Sequence, residues 1–227
     1  MYPCPQERFT PEEFIGVITV NTEFSTAAMP QFKPDLSKIF NEVKEVATNP
    51  VGCWSTVRGT YSSDRDFMMN FLGPLLLLGP VVDFLMGLSA RGFAGGAMFL
   101  VVRVALSVVM AYLVAFILAK LAASFGGTND TRSALKLYGY SQSPALLAAI
   151  LGFLPVLGGL AVFLIGLYCF YVFYQGISPM LAVPAEQRVI YTIVSVVILI
   201  ITGFLLGLLT MMLVGGAVLG TAGPVVS

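Results

Sequence analysis

Two charged side chains stand inside long apolar runs: Asp83 in FLGPLLLLGPVVDFLMG and Arg103 in MFLVVRVALSVV. An isolated charge in hydrocarbon is costly, so such residues pair, reach for the interface or serve a function. On adjacent antiparallel helices Asp83 would lie ~24 Å and Arg103 ~7 Å from opposite helix ends, at nearly the same depth of a ~30 Å core. An ion pair that locks two spans is therefore expected. Five tyrosines, Tyr138, Tyr140, Tyr168, Tyr171 and Tyr174, form a second set. They could line a polar cleft, or form an interfacial belt with packing below it. Other chemistry is sparse. The sequence has no histidine, and Cys4, Cys53 and Cys169 match no metal or disulfide framework. No catalytic residue, cofactor site or metal site is predicted, and no enzymatic activity.

The elements that must position these residues follow from composition. The 227 residues are 57% hydrophobic and only 11% charged, too few charges to cover a water-facing globule. Polar chemistry is concentrated in residues 1–66, which hold 6 of the 12 basic and 9 of the 12 acidic residues. No polybasic tract points to nucleic acid. The start, MYPCPQERFTPEEF, has no apolar signal-peptide core, so the N-terminus is expected to stay in the cytosol.

Residues 1–34 read as a cytosolic segment with a short helix at FTPEEFIGVI, where Thr10, Pro11 and Glu13 make a helix start. Residues 35–66 read as interfacial amphipathic helices. Leu36, Ile39, Phe40, Val43 and Val46 share one face, and Val51, Trp54, Val57 and Tyr61 another. A membrane domain is expected over 67–214, with spans at about 67–88, 98–122, 143–157, 160–180 and 189–214. A Gly-rich tail, 215–227, follows. The uncharged stretch 144–181 would make one helix of ~55 Å, so it is divided at Pro155 to Gly159 into a hairpin. Ser63 and Asp66 have capping-box spacing ahead of the first span. With five spans, Arg8, Lys33, Lys38, Lys44, Arg58, Arg65, Lys120, Arg132, Lys136 and Arg188 share one side. Arg91 lies on the other, with Arg103 nearby. That bias places the N-terminus in the cytoplasm.

The runs ALKLYGYSQSPALLAAILGFLPVLGGL and LYCFYVFYQGISPMLAVPAEQRVIYTIV resemble the Yip domain of Rab-GTPase-interacting membrane proteins. The resemblance rests on Tyr138-Gly139-Tyr140-Ser141, read as a turn before the third span, on Pro155, and on Tyr168, Tyr171, Tyr174 and Gly176. NPVGCWSTVRGTYSS is similar to the bacterial branch, in which a Pro-x-x-x-Trp element, here Pro50 and Trp54, precedes the first span. The acidic residue that often follows that Trp is missing, since the sequence there reads Arg58-Gly59-Thr60. The resemblance covers roughly residues 40–214. It implies an all-α, five-span bundle with a cytosolic N-terminus. Eukaryotic relatives act in Golgi and endoplasmic-reticulum trafficking by binding prenylated GTPases and one another, while the role of bacterial relatives is unassigned. The expected location is a bacterial plasma membrane, with a Golgi or endoplasmic-reticulum membrane as the alternative.

The functional expectation is a non-enzymatic membrane adaptor or organiser that contacts the bilayer and takes a protein partner through its N-terminal region. The alternative is a small transporter, channel or lipid-handling protein using the bundle interior, for which Pro74, Pro80 and Pro155 would supply broken helices. Gly203-x-x-x-Gly207 and Gly216-x-x-x-Gly220 have helix-association spacing that would also serve a homo-oligomer.

Overall fold

The computed structural model describes residues 34–154 and 156–221. The predicted helix near residues 10–18, Cys4, Pro155 and residues 222–227 of the tail lie outside them. The described residues form seven helices and no strand: α1 (Leu36–Thr48), α2 (Cys53–Gly59), α3 (Asp64–Ser89), α4 (Arg91–Ser124), α5 (Thr131–Ala148), α6 (Leu157–Leu181) and α7 (Ala185–Thr221). A short 3-10 turn, Ala149–Phe153, follows α5.

Local chemistry accounts for the helix boundaries. Asp35 accepts the Ser37 and Lys38 amides and caps α1. Ser63 accepts the Asp66 amide and caps α3, as the capping-box spacing predicts. Within α3 the turn Met68–Leu72 is widened to a π turn. It falls just before Pro74, whose ring lacks an N–H and crowds the carbonyl four residues back. Gly92, the second residue of α4, has φ 65° and ψ 174°, a backbone geometry essentially confined to glycine, and it makes the kink between α3 and the body of α4.

Four helices, α3, α4, α6 and α7, are long and apolar enough to cross a membrane. The expected third span, 143–157, is not a helix of its own. Residues 143–148 finish α5, which begins twelve residues earlier, at Thr131. The Tyr138 to Ser141 run is therefore mid-helix and not a turn. α5 is buried over most of its length, at Ser133 to Leu137, Gly139 to Ser141 and Ser143 to Pro144. A helix covered by protein need not be apolar all round, which is why hydropathy alone places it badly. α5 starts beside α3's first residue, through Arg132 and Asp64. It ends where Ala149 shares a cavity with Val82 and Asp83, far along α3.

α1 packs on α5, and α2 packs on α6. Of the predicted α1 face, Ile39, Val43 and Val46 are buried, but Leu36 and Phe40 are 75% and 55% exposed. Trp54, Val57 and Tyr61 are buried, whereas Val51 is exposed. Trp54, expected at the lipid headgroups, instead lies within protein. The buried stripe of α4 is alanine-rich, at Ala111, Ala115, Ala119 and Ala122. Small residues allow close helix approach, and Tyr191 of α7 reaches across to donate to the Leu118 carbonyl at 3.0 Å.

Candidate functional site

The densest polar arrangement lies where α1, α2 and the start of α3 meet α5. Arg132, Lys136 and Tyr140 recur every four residues on α5, so they share one helix face. Arg132 donates to Asp64 at 2.9 Å and to the Ser62 carbonyl at 3.1 Å. Lys136 is 4% exposed and donates to the Arg58 and Tyr61 carbonyls, both at 2.9 Å. The Arg58 carbonyl belongs to the last turn of α2, where a cation answers the helix dipole. Tyr140 donates to Glu42 of α1 at 3.0 Å, and Tyr61 approaches the same carboxylate at 3.4 Å. One stripe of α5 therefore holds three successive elements of the N-terminal region.

Lys136 was expected on the aqueous side and Tyr140 in an interfacial belt. Both are buried. Their polar atoms meet backbone carbonyls and Glu42 that a sequence reading cannot place beside them. Lys38 stacks over the Tyr61 ring at 4.7 Å and approaches Glu42 at 3.8 Å. Burial holds the Glu42 carboxyl above its usual range, against the opposing pull of the Tyr140 hydrogen bond, Lys38 and the Tyr61 hydrogen bond. Below the polar layer, Tyr61, Phe67, Phe71 and Tyr140 form an aromatic cluster with centroids 4.5–6.2 Å apart. Gly139 makes it fit: a Cβ there would stand 2.7 Å from the Phe67 ring.

The remaining motif residues lie around the same junction. Trp54 donates from its indole to the Pro50 carbonyl at 2.9 Å, which gives the Pro-x-x-x-Trp spacing a geometric meaning. Its ring covers Gly176, where a Cβ would come within 2.5 Å of both Trp54 and Leu137. Tyr168 donates to the Ala47 carbonyl at the end of α1 at 3.0 Å. The Tyr174 ring carries Arg188 at 3.9 Å, and Arg188 also donates to the Tyr174 carbonyl and the Gln175 side chain. Ser141 is buried and returns its hydroxyl to the Tyr138 carbonyl. Tyr171 is 46% exposed and touches Tyr168 ring to ring. The tyrosines thus divide between docking contacts and surface instead of forming one belt or one cleft.

Asp83 and Arg103 do not come together. The ion pairs among the described residues are Lys38–Glu42 and Arg132–Asp64. Asp83 lines a cavity of about 340 Å³ against the α5–α6 turn. Arg103 lines another, of about 520 Å³, between α4 and α7. Helix α4 begins at Arg91, seven residues before the expected start, so the depth argument for pairing fails. Asp83→Asn and Arg103→Gln are therefore expected to change thermal stability additively, within ~0.5 kcal/mol, as unlinked sites do. A double-mutant cycle in detergent checks this.

A third cavity, about 700 Å³, runs between α1, α5 and α6. Phe40, Val43, Pro144, Leu147, Ile165 and Tyr168 are among its walls, and Lys44 stands at it. Sequence reasoning missed Glu42 and Tyr61 as hub residues. Glu42 reads as one more charge on the polar face of α1, and only its partners distinguish it.

Described residues that are helical throughout their regular structure, with four apolar helices of spanning length among them and polar elements folded onto these, define a multi-pass integral membrane protein. The sequence matches the family described as Yip1 domain over residues 44–209, from within α1 almost to the end of the last apolar helix. The chain belongs to that family. No curated protein and no solved structure matches it.

Proposed function

We propose that this protein is a non-enzymatic membrane adaptor whose docked N-terminal helices form the platform for a partner protein. The observation that carries the reading is the α5 stripe, which fixes α1 and α2 against the bundle while Leu36, Phe40 and Val51 stay exposed. Large apolar side chains on an otherwise polar, rigidly held surface are what a partner interface uses. The sequence has no histidine, and Cys53 and Cys169 are buried, which fits a role without chemistry. Burial and the Glu45 charge push the Cys53 thiol up to about 11, away from the reactive thiolate.

The reading takes the chain as five crossings in a bacterial plasma membrane, with the α1–α2 end cytoplasmic. α5 supports the fifth crossing, since it runs from beside Asp64 to beside Val82. Arg58, Arg65, Arg132, Lys136 and Arg188 support the orientation. They lie at or near the end where Arg58 meets the Pro179 carbonyl and Arg132 meets Asp64. The 700 Å³ apolar groove favours a second reading, a lipid-handling protein.

The test is chemical cross-linking in the native membrane, gentle extraction and mass analysis. The wild type should carry a stoichiometric partner. A Leu36→Ser, Phe40→Ser, Val51→Ser variant, folded by thermal melt, should lose it. Extraction of both proteins alone, or both only as homo-oligomers, would sink the adaptor reading.

A further inference from the structure

The cavity between α4 and α7 lies far from the α1–α2 platform along α4, and the adaptor reading makes no use of it. Arg91 and Arg103 both line it, and no acidic side chain does. Arg91 is partly satisfied, donating to the Asp83 carbonyl at 3.3 Å and lying over the Phe99 ring at 4.4 Å. The Arg103 guanidinium has no hydrogen bond, ion pair or ring contact among the described residues. It is half-buried in an apolar helix, where an unanswered charge is costly.

Geometry lets the two arginines serve one ligand. Gly92 breaks the helix after Arg91, and the Arg91 guanidinium lies over the Phe99 ring at 4.4 Å, one turn before Arg103 on the same helix face. Helical side chains lean toward the helix N-terminus, and a long arginine extends that lean, so Arg103 reaches toward Arg91. The opposite wall contains Gly203 and Gly207 of α7. A Cβ at either glycine would meet nothing within 4 Å, so the space is open and not filled by a helix of this chain. Phe204 and Leu208 border it and are 67% and 43% exposed, on a helix that carries no charged residue after Arg188. The site is thus cationic within and bordered by apolar side chains that face the surroundings.

We propose that this cavity is a binding site for an anionic phospholipid, with its phosphate between Arg91 and Arg103 and a hydrocarbon chain along Phe204 and Leu208. Guanidinium forks match phosphate oxygens in shape and charge. A free phosphate would satisfy the arginines but leave the apolar border against nothing. A lipid answers both, and the membrane supplies it at high local concentration. The assignment is independent of the adaptor reading.

The test uses the full chain, delipidated in detergent, with native mass spectrometry. Phosphatidylglycerol, phosphatidylcholine and inorganic phosphate are titrated separately. One phosphatidylglycerol should bind per chain about 10-fold more tightly than phosphatidylcholine, which has the same phosphodiester but also a choline cation that the two arginines repel. Arg91→Gln with Arg103→Gln should erase the preference, and Arg91→Lys with Arg103→Lys should keep part of it. Gly203→Leu with Gly207→Leu keeps both charges but fills the cavity, and should also abolish binding. This glycine pair decides the question if the glutamine variants fail to fold. Equal binding of the two lipids would overturn the proposal. So would unaltered binding in the filled-cavity variant, or phosphate alone displacing the lipid. A dimer that buries Gly203 and Gly207 and excludes lipid would assign the cavity to a second copy instead.

Discussion

Trp54→Ala is expected to destabilise the protein by roughly 3–5 kcal/mol, the range for removing a fully buried large aromatic. Trp54 is 1% exposed, donates to the Pro50 carbonyl and covers Gly176 of α6. Its loss would empty the space between α2 and α6 and leave Pro50 without its partner. The reciprocal change, Gly176→Ala, should cost ~1–3 kcal/mol, because its new methyl meets Trp54 and Leu137 at 2.5 Å. Combined, the two should cost less than their sum, since the methyl then occupies space the indole has left. Full additivity would show that α2 does not sit on α6 in this way. A thiol-reactive dye suits the measurement, because Cys53 and Cys169 are buried and become accessible on unfolding. A Cys4→Ser background removes the third thiol.

Glu42→Gln should flatten the pH dependence of stability. Burial, with the Glu45 charge adding to it, holds the Glu42 carboxyl above its usual 4.5 against the opposing pull of Tyr140, Lys38 and Tyr61. A folded-state value above the unfolded one means that the folded protein binds the proton more tightly. The resulting stabilisation is complete below about 4.5 and is lost as pH rises through the raised folded value. The wild-type melting temperature should therefore fall over that interval on this group's account. The glutamine variant should lack that component and melt higher at neutral pH, because its amide oxygen still accepts from Tyr140. Glu42→Ala should instead cost ~1–3 kcal/mol at every pH by stranding buried tyrosine hydroxyls. A glutamine variant with the wild-type pH slope would show that Glu42 is solvated and the α5 stripe does not close.

The two experiments probe opposite sides of one junction. Trp54 reports the apolar seat of α2 on α6, and Glu42 reports the polar seat of α1 on α5. Damage to either should release the Leu36, Phe40 and Val51 surface from its fixed position. Partner binding would then fail together with stability. The arginine cavity between α4 and α7 should remain intact, because no residue of that junction lines it.

The sequence by itself determined the solvent, the class and the family. A chain with so few charges, and with runs such as those around Asp83 and Arg103, cannot be covered by water, and its Yip-domain motifs are local in the chain. It also determined the start of α3, because Ser63 acts on an amide three residues away. Tertiary structure alone decided what depends on partners distant in sequence. α5 was misplaced because protein contacts, and not lipid, cover its polar residues. Lys136 was assigned to water because its partners lie 75 and 78 residues away. The Asp83–Arg103 pair was inferred from depth along two helices. Depth does not specify the direction in which a side chain leaves its helix, and here the two face different cavities. Helix periodicity and capping are short-range and can be read along the chain. Burial, pairing and cavity lining arise only when helices distant in sequence come into register.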